Sequence, residues 1–109
     1  MRKELVAASA EPLILSLLSK GESYGYAIIQ DIKTRSRDQI QWTDGMLYPV
    51  LHRLERNGWI KSRWVKIENG RRRKYYFIKP EGKKVLAAQC GEWQAVHEVL
   101  TSYGAAPHV

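Results

Sequence analysis

The sequence predicts a mainly α-helical fold with one small β-hairpin, and three observations carry that prediction. Leu47, Leu51 and Leu54 follow the spacing of one face of an amphipathic helix. An Asn-Gly pair at 69–70 separates two runs that are rich in aromatic and β-branched residues, as in a β-hairpin. After Pro80, mostly apolar residues recur every three or four positions, which indicates a long final helix.

Composition and charge limit the classes of protein that fit. A chain of 109 residues is long enough for one domain with a modest core. Lysine and arginine number 18 against 11 aspartate and glutamate, and the resulting net charge of +7 favours a polyanionic partner such as nucleic acid. The longest apolar run, residues 12–18, is far shorter than the roughly 20 residues of a membrane span, so we expect a cytoplasmic protein without membrane contact.

The residues that could carry chemistry are few. Cys90 is the lone cysteine, which excludes an internal disulfide, and His52, His97 and His108 lack the spacing of metal ligands. We expect His52 and His97 at exposed helix positions and His108 in a tail. The sequence contains no phosphate-binding glycine loop, nucleophile motif or distinctive carboxylate pair, so we expect neither an enzyme nor a bound cofactor or metal.

The first part of the chain is expected to form two helices. Residues 1–10 would precede the first helix, with Ser9 as a possible cap, and the helix itself would span Glu11–Lys20 and stop at Gly21. Its leucines point in nearly every direction, so it requires cover from its own core and from a second subunit. Ser23 would N-cap a second helix that runs to residue 36. The inward stripe of that helix would be Tyr24, Ala27, Ile28 and Ile32.

A third helix is expected within Trp42–Ile60, with Thr43 or Asp44 as its N-cap and a stop at Asn57-Gly58. Two helices joined by a turn, the second with a basic outward face, form a helix-turn-helix, whose second helix enters the major groove of DNA. That outward face would carry Gly45, Pro49, His52, Arg53 and Arg56. The arginines would contact bases or phosphates, or would be solvated helix charges.

Two residues of this helix leave alternatives open. Tyr48 lies on the flank of the outward face, where its hydroxyl would either donate to a phosphate or close the edge of the core. Pro49 removes a helical N–H if the helix begins at Thr43, so either the first turn is irregular or the regular helix starts later.

Residues 59–67 and 73–78 are expected to pair as a hairpin, the wing of a winged helix-turn-helix. A two-residue Asn-Gly turn would place Trp64 opposite Tyr75 and Lys66 opposite Arg73. The tip would then be strongly basic, and it would contact phosphates or the minor groove, or would simply be an edge charged against aggregation. Its cationic residues are Lys66, Arg71, Arg72, Arg73 and Lys74.

The last helix would begin at Pro80 and carry a seam for pairing with a second chain. The seam, which we predict as the dimer interface, consists of Leu86, Gln89, Trp93, Val96, Leu100 and Tyr103. Trp93 would fill this interface, or would sandwich a flat apolar ligand near the two-fold axis. The predicted organisation is therefore a DNA-binding domain (1–79) whose first helix is shared with the interface, a dimerisation helix (80–103) and a flexible tail (104–109).

With these elements in place, the chain resembles the PadR-like winged-helix transcriptional regulators, in the short class with one C-terminal helix. The resemblance covers roughly Leu13–Leu100 and rests on SYGY (Ser23–Tyr26), GMLYPVLHRLERNGWI (Gly45–Ile60) and GRRRKYYFIKPEG (Gly70–Gly82). It implies a homodimeric repressor of detoxification or efflux genes that binds a near-palindromic operator in double-stranded DNA. In similar members, a planar aromatic ligand binds between the subunits beside a tryptophan at the position of Trp93.

The resemblance and the patterns together yield candidate site residues. For DNA contact these are Ser23, Tyr24, Thr43, Gly45, Met46, Tyr48, Pro49, His52, Arg53, Arg56, Arg71, Arg72, Arg73 and Lys74. For ligand contact they are Leu13, Leu17, Gln89, Trp93 and Val96. Two positions depart from the family pattern: Met46 replaces a small hydroxyl residue, and Lys79 replaces a threonine cap. The alternative function is a ligand-binding or protein-interaction module on the same scaffold, without specific DNA recognition.

Overall fold

The computed structural model describes residues 1–104, and within that range the chain forms four α-helices and one three-stranded antiparallel sheet. In chain order the elements are α1 (Lys3–Leu18), β1 (Ser23–Tyr24), α2 (Gly25–Arg35), α3 (Asp44–Arg56), β2 (Ile60–Lys66), β3 (Arg72–Ile78) and α4 (Pro80–Ser102). Strand β3 is central, with β1 and β2 on its two sides. The predicted winged helix-turn-helix with a long final helix is confirmed. Of the predicted tail, residues 105–109, His108 included, lie outside the described part.

Helix α1 begins earlier than predicted. It starts at Lys3 rather than Glu11, so Ser9 lies within the helix, where its hydroxyl donates to the Leu5 carbonyl at 2.7 Å instead of capping an end. Pro12 also lies inside the helix, although it has no N–H to donate to the preceding turn. Packing decides this outcome, because the added turns bury Val6 and Ala10 against the core.

The start of the second helix was predicted wrongly. Ser23 does not cap a helix; Ser23 and Tyr24 form the short strand β1, which pairs with Tyr76 and Tyr75 of β3. The edge of β3 lies some fifty residues further along the chain and supplies partners for these backbone groups, so local sequence does not reveal the strand. Helix α2 starts at Gly25, and its Ile28 is fully buried as predicted.

Helix α3 matches its prediction closely. The Thr43 side chain accepts the Met46 N–H at 3.3 Å, which satisfies one of the free donors at the helix start. Leu47, Leu51 and Leu54 form its buried stripe and reach the centre of the core. Pro49 lies inside a helix that already starts at Asp44, so the alternative of a later helix start is wrong, and the Gly45 carbonyl loses its usual donor.

The hairpin has a longer turn than predicted, and its register differs by one residue. A short 3₁₀ turn, Glu68–Gly70, joins the strands, with Asn69 and Gly70 at φ 65° and 73°. This odd number of loop residues pairs Trp64 with Lys74 and Lys66 with Arg72, rather than with Tyr75 and Arg73. A shift of one residue moves every side chain of one strand to the opposite face relative to its partner. The left-handed Asn-Gly pair was identified correctly, but the turn that contains it was not.

The core lies where α1, α2, α3 and the sheet meet, and it also anchors α4. Lys79, which precedes α4, donates its backbone N–H to the Trp59 carbonyl at 3.0 Å. Gly82 is buried directly against that same carbonyl. Pro80 occupies the first helical position, where a missing N–H costs little, so the helix is regular without a threonine cap. Among the described residues, no helix has both the length and the apolar character to cross a membrane.

Candidate nucleic-acid interface

The outward face of α3 is exposed and polar. Gly45, Pro49, His52 and Arg56 are all exposed on it, as predicted. The free N–H groups of the first turn and the positive end of the helix dipole lie beside Gly45, where a phosphate is favoured. Arg56 supplies a planar guanidinium, the group that commonly pairs with guanine in protein–DNA complexes. This face therefore carries donor groups of the kinds that suit base edges and phosphates.

Arg53 does not lie on this outward face, which corrects the prediction. Its Nη2 lies 2.8 Å from Glu11 Oε2, and its Nε donates to the same oxygen at 2.9 Å. The side chain therefore extends toward α1 and lines a depression with Met46 and Val50. Met46 is turned to the same side and not to the outward face. The leucine stripe fixes the rotation of α3 about its axis, and that rotation places residues 46, 50 and 53 together.

Tyr48 lies between α2 and the wing. Its hydroxyl rests against the Cα of Gly25, at the start of α2, and its side chain is 37% exposed. Its ring is tilted toward His52, with the ring centroids 6.5 Å apart. Tyr48 thus closes the edge between the helix-turn-helix and the wing while part of the residue still faces solvent. The structure therefore places Tyr48 at the edge of the core, and its contact with a phosphate stays a prediction.

The outer face of the wing holds Arg73 among tyrosines. The Arg73 guanidinium lies 3.9 Å from the ring centroid of Tyr24 and donates to the Tyr75 hydroxyl at 3.5 Å. The hydrogen bond that Arg73 donates to the Tyr75 hydroxyl is the largest cause of the raised pKa of Arg73. Tyr24 and Tyr75 meet edge to face at 5.3 Å. Ser23, by contrast, is half-buried in the sheet.

The other cations of the wing lie close by. Arg71 and Arg72 are exposed next to the turn, and Lys74 is half-buried. The structure therefore gathers the predicted wing residues at one end of the sheet, beside Tyr24 and Tyr48. It also places Trp64 and Tyr26 there, and neither is among the predicted site residues. The sequence signal for Trp64 was the mixture of aromatic and basic residues in the segments WVK (64–66) and RRRK (71–74).

A second exposed surface runs along the distal half of α4. Every residue of this helix from Cys90 to Ser102 is exposed, and the apolar side chains among them form a stripe. The members of the stripe are Trp93, Val96, Val99, Leu100 and the adjoining Tyr103. Val99 was missed because it lies beside the strict three-four seam. Leu86 instead packs on the core of its own domain.

A depression of about 540 Å³ lies between α1 and α4, beside Trp93. Leu13 and Pro12 line it from α1, and Cys90 and His97 line it from α4. Of the predicted ligand contacts it brings together Leu13 and Trp93. Leu17 lies elsewhere, near Lys20 and Asp31, because it points to the α2 side of α1, so its assignment to a ligand site is corrected. Val96 lies one turn further along α4.

Gln89 belongs to a bridge between three helices. Its Nε2 donates to Glu11 Oε1 at 3.1 Å, while Glu11 Oε2 accepts from Arg53. One carboxylate of α1 thus holds a residue of α4 and a residue of α3. The Gln89 Oε1 atom is buried without a hydrogen-bond partner among residues 1–104. Within the same range, no group of three or more His, Cys, Asp or Glu side chains is arranged to hold a metal ion.

An exposed recognition helix, a basic wing and a projecting C-terminal helix define a protein of the winged helix-turn-helix class. The chain belongs to the Transcriptional regulator PadR-like family, which its residues 14–88 match. Members of this family bind DNA and regulate transcription rather than catalyse reactions.

The similar proteins agree with this assignment. A structure of a transcriptional regulator from Clostridium thermocellum is 36% identical and superimposes with a TM-score of 0.84 over 93% of this chain and 98% of that one. A PadR family regulator from Clostridium difficile is 33% identical, with a TM-score of 0.73, over 87% of this chain and 97% of that one. A transcriptional regulator of Mycobacterium tuberculosis is 32% identical over 77% of this chain and 75% of its own length.

Proposed function

We propose that this PadR-like regulator is a homodimeric repressor that binds a near-palindromic operator, and that a planar aromatic ligand relieves repression. The observation that carries the proposal is the pairing of two exposed surfaces on one chain. The outward face of α3 and the basic wing suit a duplex, and the apolar stripe of α4 suits a second copy. Because the proposed target is DNA, we expect the protein to act in the cytoplasm.

The apolar stripe of α4 supports the dimer. Water-exposed valine, leucine and tryptophan side chains on one helix face are unfavourable unless a partner covers them. The three-four spacing of Trp93, Val96 and Leu100 matches the seam of a helix pair. Sedimentation at micromolar concentration should give twice the mass of the chain, and Val96→Asp with Leu100→Asp should yield monomers. A wild-type monomer at that concentration would contradict the proposed dimer.

Two recognition helices related by a two-fold axis should contact half-sites about 34 Å apart, one turn of DNA. The test is a gel shift with the promoter DNA upstream of the chain's own gene, competed by mixed-sequence DNA. Arg56→Ala should weaken specific binding by roughly five- to a hundredfold, the value of one good base contact. Arg35→Ala is the matched control, because it removes the same charge from the end of α2, where Arg35 pairs with Asp31.

The outcome of the competition separates the two functions considered for the chain. Retention of the complex in excess mixed-sequence DNA supports operator recognition. If mixed-sequence DNA abolished binding completely and Arg56→Ala behaved like Arg35→Ala, the chain would be a binding module with only non-specific affinity for DNA.

The effector is proposed from the depression between α1 and α4. Its lining is mostly apolar, and Trp93 is 38% exposed beside it, so a flat aromatic molecule can stack there. Planar aromatic drugs should quench tryptophan fluorescence and release the operator, and Trp93→Ala should abolish both effects. Trp59→Phe is the control for loss of one tryptophan signal. Quenching that survives in Trp93→Ala would place the ligand elsewhere. The proposed target genes are those for efflux or detoxification, because the proteins that they encode would remove planar aromatic drugs.

A further inference from the structure

Trp64 is a large apolar side chain that projects from the wing into solvent. It is 58% exposed, whereas Trp42 is 5% exposed in the core. Side chains alternate between the two faces of a strand, so Trp64 shares one face of the hairpin with Ser62 of β2 and with Arg72 and Lys74 of β3. This face, which we term the inner face of the wing, is defined by Ser62, Trp64, Lys66, Arg72, Lys74 and Tyr76.

The inner face is turned toward the recognition helix. Ser62 donates its hydroxyl to Glu55 Oε2 of α3 at 2.6 Å, whereas Arg63, on the opposite face, donates to Glu22 at 3.3 Å. Trp64 lies one repeat beyond Ser62 toward the tip, where the body of the domain no longer covers the sheet. There it faces an open concavity of about 750 Å³ that Tyr48 also lines.

Two cations are held against the indole of Trp64. The Arg72 guanidinium lies 5.3 Å from the ring centroid, and the Lys74 ammonium lies 5.8 Å away. A polyanion drawn to these charges is thereby brought to the edge and faces of the indole. Among polyanions, nucleic acid presents apolar sugar and base surfaces next to its phosphates. It therefore matches both the two cations and the apolar indole.

We propose that Trp64 makes a direct apolar contact with the sugars or base edges of duplex DNA, while Arg72 and Lys74 bind the adjacent phosphates. The proposal rests on the DNA-binding function proposed above and adds a contact whose strength does not depend on salt. Apolar side chains inserted at the minor groove provide affinity of this kind in other DNA-binding proteins.

A purely supporting role for Trp64 makes a different prediction. If the indole only positioned Arg72 and Lys74, its removal would weaken their phosphate contacts. Each lost phosphate contact lowers the slope of log K against log salt by about 0.9. A direct apolar contact releases no counterions, so its loss leaves the slope unchanged. The salt dependence of binding therefore distinguishes the two roles.

The experiment measures binding of a fluorescein-labelled mixed-sequence duplex by anisotropy, between about 50 and about 200 mM salt. Trp64→Ala should weaken binding roughly five- to tenfold at every salt concentration, with the wild-type slope. Trp64→Phe keeps an apolar ring and should recover most of the affinity. Arg72→Ala is the matched control and should lower the slope by about 0.9. Tryptophan emission should change on DNA addition in the wild type, and that change should shrink in Trp64→Phe.

The outcomes are distinguishable from failure of the proposed function. A wild-type protein that does not bind the duplex at the lowest salt would contradict DNA binding itself. A wild type that binds while Trp64→Ala binds equally well would overturn the contact proposed for Trp64. The contact would also be overturned if Trp64→Ala lost affinity together with a reduced salt slope. It would be overturned as well if the wild type bound single-stranded DNA more tightly than the duplex. Thermal unfolding of Trp64→Ala and Trp64→Phe checks that both variants are folded.

Discussion

Replacement of Gly82 by alanine tests how α4 is attached to the domain. A methyl group at this position would lie 2.9 Å from Ile78 Cγ1 and 3.0 Å from the Trp59 carbonyl carbon, with the Trp59 oxygen nearer still. These partners are mostly backbone, so no side-chain rotation relieves the clash. The first turn of α4 must move away from the sheet, which strains the hydrogen bond from Lys79 to Trp59.

The magnitude follows from opposing contributions. Overpacking of a close contact costs about 1–3 kcal/mol. Loss of one backbone hydrogen bond adds about 1 kcal/mol. Alanine in a helix recovers about 0.5–1 kcal/mol relative to glycine. We therefore expect Gly82→Ala to lower the free energy of unfolding by about 1–3 kcal/mol. For a domain of this size each kcal/mol lowers Tm by roughly 4–8 °C.

Gly91 provides a matched control in the same helix. A Cβ at Gly91 would have no neighbour within 4 Å among the described residues. It also lies opposite the apolar stripe, so Gly91→Ala should raise stability by about 0.5–1 kcal/mol. Urea unfolding at one fixed protein concentration measures both variants, because the proposed dimerisation would make stability depend on concentration. Equal stability of Gly82→Ala and wild type would refute the close packing of α4 on the Trp59 carbonyl.

Three further predictions concern single contacts. Thr43→Ala removes the side-chain cap of α3 and should cost about 1 kcal/mol in urea unfolding, and an unchanged midpoint would rule the cap out. Burial raises the pKa of Tyr76 to about 12, so the folded state binds its proton more tightly than the unfolded state does. The stability that this provides is complete below about pH 10 and is lost as pH rises toward 12. The free energy of unfolding of Tyr76→Phe should therefore fall less over that range than that of the wild type. An identical fall in both proteins would contradict the raised pKa of Tyr76. A double-mutant cycle of Glu11→Gln and Arg53→Ala should give a coupling of up to about 1 kcal/mol that falls with salt, since the pair is partly exposed, and zero coupling at low salt would argue against the ion pair.

The predicted elements succeeded where the signal was local. The leucine stripe of α3 and its cap lie within a few residues of each other, so spacing predicted the stripe and narrowed the cap to Thr43 or Asp44. The first turn of α4 was predicted for the same reason, since Pro80 is favoured at the start of a helix. Failures occurred where a distant segment decided the outcome. Ser23 reads as a helix cap in isolation, but the edge of β3 draws it into a strand.

The same division applies to the candidate site. The basic wing and the polar face of α3 were evident from residue types, but Trp64 could not be oriented without the register of the hairpin. Arg53 looked equivalent to Arg56 in the sequence, yet the structure pairs it with Glu11, which is 42 residues earlier in the chain. A rotation of one helix by less than a quarter turn separates an outward-facing arginine from an ion-paired one, and core packing sets that rotation.

Periodicity, turn residues and net charge are local properties of the chain, and they were enough to predict the mainly helical class, the winged helix-turn-helix order and the basic character of the surface. Which side chains meet became clear from the folded chain alone: Arg53 contacts Glu11, Trp64 contacts Arg72 and Lys74, and Leu17 lies away from Trp93. The physical reason is that side-chain direction depends on helix rotation and strand register, and both are fixed by packing between segments that are far apart in the chain.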